Sequence, residues 1–363
     1  MVIVSYQYNA GGAVMHTVLK DVFLDSNGQP LISIETGTII AAVFIILYTM
    51  LAGLVSVAYT DVANGIIIVV SFIIAIPIFF VKAGGFEGMA ISFAEMNKDS
   101  HMNFWGVYST MDIINFCLPS FLLIMGDANM YQRFFASKDA KGAKSATKTL
   151  IIAIAIAELM IIIAAWIASS MIPDAEVGKY VLIYASHKFL PPLIGAIMMT
   201  TIIGIIISTA DSYLLVPTTT LMRDIYLNYF NKNANQKKIV FLSRVLVIIL
   251  GIIAYIVSLG FAKSSGFFER ALYAYTIYGA AITPSLVAAL FWKGATKEGA
   301  IASILAGTLT TLLWKESTFI QNIVPGRIYG TMDEVLPAIT LSIISLVVVS
   351  LFTKERSLKS KIS

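Results

Sequence analysis

Long apolar runs recur along almost the whole chain and are separated by short polar segments. A helix needs about 20 mostly apolar residues to cross a bilayer. Nine runs approach or meet this length and predict spans at about residues 37–58, 63–82, 105–126, 149–172, 191–216, 239–262, 267–292, 299–314 and 335–353. A tenth segment, residues 5–24, is weaker because it contains Gln7, Asn9, His16 and Lys20. The pattern predicts an all-α polytopic membrane protein of about ten spans.

Composition agrees with a protein embedded in a lipid bilayer. The chain is 58% hydrophobic and 13% charged, whereas a soluble domain is roughly 45–50% apolar and about 25% charged. Its basic residues are scattered and form no clustered face, which argues against nucleic-acid binding. The sequence has no P-loop, no HExxH and no GxSxG, and its three histidines lack metal-ligand spacing. We therefore expect a protein that is not an enzyme.

The distribution of Lys and Arg among the loops predicts orientation. Residues 127–148, 217–238 and 293–298 and the C-terminal tail are richer in these residues than the alternate loops. Positive loops stay in the cytoplasm. The rule predicts a multi-pass protein of the cell membrane with a cytoplasmic C-terminus.

The most informative polar residues lie in the predicted span 191–216. Ser208, Asp211 and Ser212 share one helix face at i, i+3 and i+4, with Thr209 one step around. Ionisable groups at membrane depth tend to mark ion or substrate pathways, and oxygen ligands suit a small hard cation such as sodium. Alternatively, the hydroxyls bond back to their own helix or join neighbouring helices.

Asp61 follows Tyr59 and Thr60 where the predicted span 63–82 begins. A carboxylate at this position could cap the helix by accepting hydrogen bonds from its free N–H groups. It could also face a cation within the bundle.

Other polar residues are candidates for a substrate pathway. Pro119 either kinks the span 105–126 or breaks it into a discontinuous helix of the kind transporters use at the midplane. Tyrosines near residue 278 could pack against other helices or line a substrate site. The substrate-pathway candidates are Asp112, Asn115, Ser120, Glu158, Thr276 and Tyr278.

Several stretches, in this order, resemble the sodium:solute symporter family. They are Tyr59-Thr60-Asp61-Val62, the run from Gly126 to Asp139 (GDANMYQRFFASKD), Ser208-Thr209-Ala210-Asp211-Ser212, Arg223-Asp224-Ile225-Tyr226, Thr283-Pro284-Ser285, Phe291-Trp292-Lys293 and Gly299-Ala300. Each stretch is a weak signal alone, but their order and their positions relative to the spans are specific.

The resemblance implies a partial five-plus-five inverted-repeat helical bundle. Residues 1–363 would form one transmembrane bundle, in which residues 1–82 are the remnant of the first repeat. Residues 105–292 would form the second repeat, and residues 299–353 extra C-terminal helices. Residue 1 then falls within or just before the third core helix, so we expect an N-terminally truncated member lacking the first core helices.

The resemblance also implies two cation sites. The first takes the carbonyl of Ile205 and the hydroxyls of Ser208 and Thr209, together with two carbonyls of a core helix that precedes this sequence. The second resembles a cation site that only some members of the family have. Its positions match Asp61, Ser208, Asp211 and Ser212, which favours a cation role for Asp61 over a helix cap. Thr276 lies where sugar carriers have a polar substrate contact. It is not an amide here, so the substrate is left open.

The implied function is sodium-coupled symport of a small polar solute by alternating access, with sodium as coupling ion and no other cofactor. The alternatives are an inactive fragment, a non-transporting membrane sensor, or an amino-acid carrier of another family with the same fold. The sequence does not predict an oligomeric state.

Overall fold

The computed structural model describes residues 1–363 except 21, 26–27, 29, 52–53, 174–179, 262–266, 318–319, 321, 323, 327–329 and 360–363. The described chain is mostly helical, as predicted. Its α-helices of eight residues or more are α1 (Val2–Leu19), α2 (Ile34–Leu51), α3 (Leu54–Lys82), α4 (Gly85–Glu95), α5 (Thr110–Gly126), α6 (Ala128–Phe135), α7 (Ala140–Ser170), α8 (Val181–Phe189), α9 (Pro192–Thr220), α10 (Gln236–Phe261), α11 (Phe267–Phe291), α12 (Lys297–Glu316) and α13 (Val335–Lys359). A π-helical stretch, Leu221–Phe230, continues α9 without a break.

Eight helical stretches among the described residues are long and apolar enough to cross a membrane. They comprise α2, α3, α5 with α6, α7, α9 with its π-helical continuation, α10, α11 and α13. The segments predicted at 5–24 and 299–314 are helices, α1 and α12, but they are not among these eight. The total of about ten spans stays a prediction.

Two predicted span boundaries are wrong. The predicted span 37–58 extends past Leu51, the last residue of α2, into α3, which begins at Leu54; residues 52–53 lie outside the described residues. Residues 105–109 precede α5, which starts at Thr110. A reciprocal pair of hydrogen bonds between Ser109 and Asp112 fixes this start, since each side chain accepts from the other's backbone N–H.

Helix α5 passes through Pro119 without interruption. The break considered at this proline is therefore absent. The helix stops later, at Asp127, whose φ of −68° and ψ of 107° are extended, and α6 follows at Ala128.

The chain groups into two compact units, one of residues 1–106 and 132–266 and one of residues 107–131 and 267–363. The first unit has two clusters of buried apolar side chains. Phe72 and Phe79 of α3 pack with Met198 of α9 in one cluster, and Ile206 and Leu214 of α9 belong to the other. Helix α9 thus contributes to both cores of this unit. These compact units are not the predicted inverted repeats, whose boundaries stay a prediction.

Close helix contacts in the first unit depend on glycine. A Cβ atom on Gly12 of α1 would lie 2.2 Å from Thr38 Oγ1 and 2.7 Å from the Ile34 carbonyl of α2. A Cβ atom on Gly37 of α2 would likewise lie 2.6 Å from the Gly12 carbonyl oxygen of α1. The two helices can approach this closely only because Gly12 has no side chain.

The second unit is joined by small and hydroxyl residues. The Ser303 and Ser342 hydroxyls lie 2.8 Å apart between α12 and α13. Thr283 of α11 donates a 2.6 Å hydrogen bond to the Leu122 carbonyl of α5, and a Cβ on Gly126 would meet the same threonine hydroxyl at 2.2 Å. These contacts are typical of helices that associate within a bilayer.

Candidate cation site

Helix α9 presents the polar stripe expected from the sequence. It is continuous from Pro192 to Thr220, so Ser208, Asp211 and Ser212 lie on one face as predicted. Ser212 and Asp211 are buried, and Ser208 is partly buried. The stripe directly follows Ile206, a core residue of the first unit.

Asp61 is the partner of this stripe. It lies within α3, beyond Leu54, so the capping role considered for it is wrong. The Ser208 hydroxyl donates a short hydrogen bond to Asp61 Oδ1. The structure therefore joins two residues of the predicted second cation site that are 147 positions apart.

A seam of polar contacts connects α3 with α9. The Ser71 and Thr201 hydroxyls lie 2.8 Å apart, and Asn64 donates to the Gly204 carbonyl at 3.4 Å. The Asp61–Ser208 bond is the third contact. Residue numbers rise along α3 as they fall along α9, so the two helices run antiparallel and the seam positions Asp61 against the stripe.

Arg133, from the second half of α6, completes the cluster. Its Nη2 atom lies 2.5 Å from Asp61 Oδ2 and 3.1 Å from the Ser212 hydroxyl, to which it donates. The neighbouring Gln132 donates to the Thr219 hydroxyl of α9 at 2.9 Å. Two consecutive side chains thus connect this segment to α9.

Asp211 is the most deeply buried charge of the cluster. Its side chain is 0% exposed. Neither carboxylate oxygen accepts a hydrogen bond of regular geometry among the described residues, although Ser212 lies nearby and the charges of Asp61 and Arg133 act on it. A buried carboxylate is costly unless it is protonated or has a positive charge close by.

The residues predicted for the first site also lie together. The Thr209 hydroxyl donates to the Ile205 carbonyl at 2.9 Å, one turn earlier on α9. Both oxygens retain lone pairs for a cation, since a hydroxyl has two acceptor lone pairs and a carbonyl oxygen has two. Oxygen ligands of this kind fit a hard cation such as sodium. Ile205, Ser208 and Thr209 would hold it from one side.

Most substrate-pathway candidates lie in the second unit. Asn115 of α5 is buried, but its amide donates to the Thr331 carbonyl at 3.1 Å and accepts from the Asp333 N–H at 3.4 Å. Asp112 caps α5. The two residues therefore already have structural partners at the start of α5.

The remaining candidates differ in their surroundings. Thr276 is buried on α11, and the Tyr278 hydroxyl accepts from the Ala128 N–H at 3.0 Å. Ser120 is partly buried on α5. Glu158 is exposed on α7, beside exposed apolar side chains, and the structure does not bring it to the other candidates.

Two buried acids at the start of α13 have perturbed pKa values. Burial raises the pKa of Glu334, which is 5% exposed, and Asp333 raises it further while Lys315 lowers it. Burial likewise raises the pKa of Asp333, with Lys315 opposing and Glu269 and Asp112 reinforcing the shift. These groups stand near the start of α5, next to Asn115.

Sequence reasoning did not identify Arg133 as a site residue. In the sequence it contributes to the predicted cytoplasmic position of residues 127–148 and to the run GDANMYQRFFASKD, which carries part of the family resemblance and is the signal that could have found it.

Residues 30–307 match the sodium:solute symporter family. The match covers more than half of the chain. The chain belongs to the sodium:solute symporter family. Membership in this family of transporters confirms the resemblance, the expectation that the chain is not an enzyme, and sodium as the family's coupling ion.

Symporters named for proline are among its relatives. The chain is 27% identical over 333 residues to the osmoregulated proline transporter OpuE of Bacillus subtilis, covering 88% of this chain and 64% of that protein. It is 26% identical over 324 residues to the sodium/proline symporter of Escherichia coli, covering 84% of this chain and 62% of that protein. The chain thus spans somewhat less than two thirds of the length of these relatives.

A solved symporter shares the fold. A Na⁺-coupled sialic acid symporter in a substrate-bound outward-open state superposes with a TM-score of 0.64 at 16% identity, covering 98% of this chain and 73% of that one. At this identity the likeness establishes the fold alone. It confirms the expected symporter-like helical bundle.

Proposed function

We propose that this chain carries out sodium-coupled symport of a small polar solute by alternating access, as part of a symporter of its family. The observation that supports this proposal is the oxygen-rich cluster of α3 and α9, where Asp61 contacts Ser208 and Thr209 contacts Ile205. Charged and hydroxyl groups are costly within apolar helices and are retained where an ion or proton pathway needs them.

Proline is the substrate that we propose to test first. The relatives at 26–28% identity include transporters named for proline in Bacillus subtilis and Escherichia coli. The family resemblance argues against a sugar, because Thr276 stands where sugar carriers have a different polar contact. Thr276 is buried on α11 and can contribute one hydroxyl to a small solute.

Sodium would act by stabilising one conformation of the carrier. A ligand shifts a conformational equilibrium only by its differential affinity for the two states. In the proposed mechanism, sodium bound by Ser208 and Thr209 favours the outward-open state, to which the solute binds. Release of sodium on the cytoplasmic side then allows the solute to leave.

Uptake into proteoliposomes tests this function. Because the chain spans about 64% of the length of the relative from Bacillus subtilis, the protein used is a chimera in which helices preceding the matched region of that relative are joined to residue 1. We expect an inward sodium gradient, but not a potassium gradient, to drive accumulation of radiolabelled proline. Sodium-dependent uptake of another solute would retain symport and reject proline.

The control is the same chimera with Thr209→Ala and Asp61→Asn together. If a folded chimera accumulates no solute from a panel of small polar compounds, symport is refuted and the inactive or sensing alternatives are favoured.

A further inference from the structure

Arg133 occupies the position expected for a second cation. Its Nη2 atom lies 2.5 Å from Asp61 Oδ2 and 3.1 Å from the Ser212 hydroxyl. Ser208 binds the other oxygen of the same carboxylate. The Arg133 guanidinium thus contacts Asp61 and Ser212, two of the four side chains predicted to bind a second sodium ion. A third of these side chains, Ser208, contacts the Asp61 carboxylate.

We infer that Arg133 is a tethered cation, which fills the Asp61–Ser212 site and excludes a free monovalent cation from it. The inference deepens the proposed cation site, but it concerns cation binding and does not depend on transport. With Arg133 in place, the chain would offer sodium only the site of Ser208 and Thr209.

Electrostatics make the two cations mutually exclusive. Like charges at contact distance repel strongly where the local dielectric constant is low. Arg133 also uses the Asp61 oxygen and the Ser212 hydroxyl that a sodium ion would need. A free ion can enter only if the guanidinium leaves.

Asp211 places a second carboxyl group close to Asp61 and Arg133. It is 0% exposed, and neither of its oxygens accepts a regular hydrogen bond among the described residues. Without Arg133, Asp61 and Asp211 would place two carboxylates in one partly buried cluster. That arrangement would attract a cation, and sodium would then bind where the guanidinium was.

The salt bridge between Arg133 and Asp61 is partly open to solvent, since the Arg133 side chain is 36% exposed and that of Asp61 is 22% exposed. Gln132 binds Thr219 and holds the same segment to α9. Displacement of Arg133 by a free cation would therefore loosen the segment of Gln132 and Arg133 from α9.

A purely structural clamp is the competing explanation. If Arg133 only attaches this segment to α3 and α9, its removal destabilises the protein to the same extent in every salt. A tethered cation makes a different prediction, because a small free cation can replace its charge.

Thermal unfolding of the purified 363-residue chain in detergent distinguishes a structural clamp from a tethered cation. Wild type and Arg133→Ala are compared in sodium chloride and in choline chloride at equal ionic strength. We expect the stability of wild type to differ little between the salts. Arg133→Ala should unfold at a lower temperature in choline and recover most of the loss in sodium, or in guanidinium at concentrations far below denaturing ones.

Binding of radioactive sodium to the same proteins gives a second readout. Removal of the competing charge should tighten the apparent sodium dissociation constant by roughly tenfold or more, equivalent to about 1.4 kcal/mol. The gain should disappear in Arg133→Ala with Asp61→Asn. The matched control is Arg244→Ala, which removes an exposed arginine of α10 and should change neither quantity.

Each outcome decides the inference. Equal destabilisation of Arg133→Ala in sodium and in choline overturns it, as does a sodium response in wild type as large as in the variant. If Arg133→Ala and the larger Arg133→Gln fold only when sodium is present, the inference is supported; failure to fold in both salts contradicts it. Because no uptake is measured, a chimera inactive in transport would leave this result unaffected.

Discussion

At the scale of single residues, Thr209 and its neighbours on α9 are the proposed sodium ligands. The Thr209 hydroxyl lies 2.9 Å from the Ile205 carbonyl, so one ion can contact both oxygens. Ser208, the preceding residue of α9, donates a hydrogen bond to Asp61 of α3. Each residue of this cluster can be replaced separately, and each replacement has a specific expected effect.

Thr209→Ala should weaken the apparent sodium affinity of the transporting chimera by roughly ten- to a hundredfold. A hydrogen bond to a charged group is worth about 1.5–3 kcal/mol and serves as a stand-in for the ion–hydroxyl contact, and each 1.4 kcal/mol is about tenfold. Uptake titrated against sodium measures the shift, and substrate affinity should largely recover at saturating sodium.

Thr200→Ala is the matched control for this variant. Thr200 is on the same helix and makes the same kind of bond, to the Ala196 carbonyl at 2.9 Å, but it is exposed and outside the cluster. Its sodium titration should be unchanged. A Thr209→Ala titration that coincides with wild type would reject Thr209 as a ligand.

The burial of Glu334 should make the stability of the folded chain depend on pH. Its folded-state pKa is raised, mainly by burial, so the protonated form is favoured in the folded chain. The corresponding stability is fully present below the ordinary carboxyl pKa and is lost as pH rises through the raised value. Thermal unfolding should therefore show wild type gaining stability on acidification.

Glu334→Gln should remove much of this pH dependence and be at least as stable as wild type at neutral pH. Asp333 shifts in the same direction, so some dependence should persist. Glu298→Gln, at an exposed glutamate of α12, is the control and should leave the profile unchanged. A profile of Glu334→Gln identical to wild type would contradict the assignment.

The residue scale also shows where sequence reasoning about the site ends. The spacing of Ser208, Asp211 and Ser212 was sufficient to predict their common face, because helical periodicity is local. The pairing of Asp61 with Ser208 came from the family resemblance, and the salt bridge to Arg133 did not come from either. A contact between α6 and α3 depends on packing that no local pattern encodes.

At the scale of helices, close approach determines stability. Gly12 packs against α2 so tightly that a Cβ would lie 2.7 Å from the Ile34 carbonyl, a backbone atom that cannot move aside alone. This contact is where α1 and α2 pack most closely against Gly12.

Gly12→Ala should destabilise the chain by about 1–3 kcal/mol, the usual cost of overpacking. Its unfolding temperature in detergent is the measurement. Gly65→Ala on α3 is the control, since a Cβ there would meet nothing within 4 Å. Alanine in a helix interior is about 0.5–1 kcal/mol better than glycine, so the control should be neutral or slightly stabilising. Equal stability of the two variants would refute the packing argument.

Helix existence was easier to predict than helix ends. Apolar runs of membrane length were sufficient to locate α2, α3, α7, α9, α10, α11 and α13. The start of α3 was missed because the apolar residues from Leu54 onward continue the preceding run, so hydropathy alone did not reveal that a new helix begins there. Pro119 was considered a break, but the helix tolerates it and stops at Asp127 instead.

At the scale of the whole molecule, the main prediction concerns orientation in the membrane. The excess of Lys and Arg in residues 127–148, 217–238 and 293–298 and in the tail should place them in the cytoplasm. The structure shows that part of the first segment is helical, since α7 begins at Ala140, which leaves the charge argument unchanged.

Lys141→Cys and Lys188→Cys, each in a Cys117→Ala background, test this orientation. A membrane-impermeant thiol reagent added to intact cells should label residue 188 but not residue 141. In sealed inverted vesicles the pattern should reverse, with residue 141 labelled and residue 188 protected. Labelling of residue 141 from outside would reverse the topology and place the C-terminus outside the cytoplasm.

The seam between α3 and α9 restricts how the first unit can move. Its three contacts, at Ser71, Asn64 and Asp61, extend over about three helical turns and share one register. Sliding one helix along the other by a turn, about 5.4 Å, would break all three contacts together. Rotation of the pair as one body breaks none. Any gating movement should therefore move Asp61 and Ser208 together, so that their hydrogen bond is kept while the contacts of the surrounding helices change.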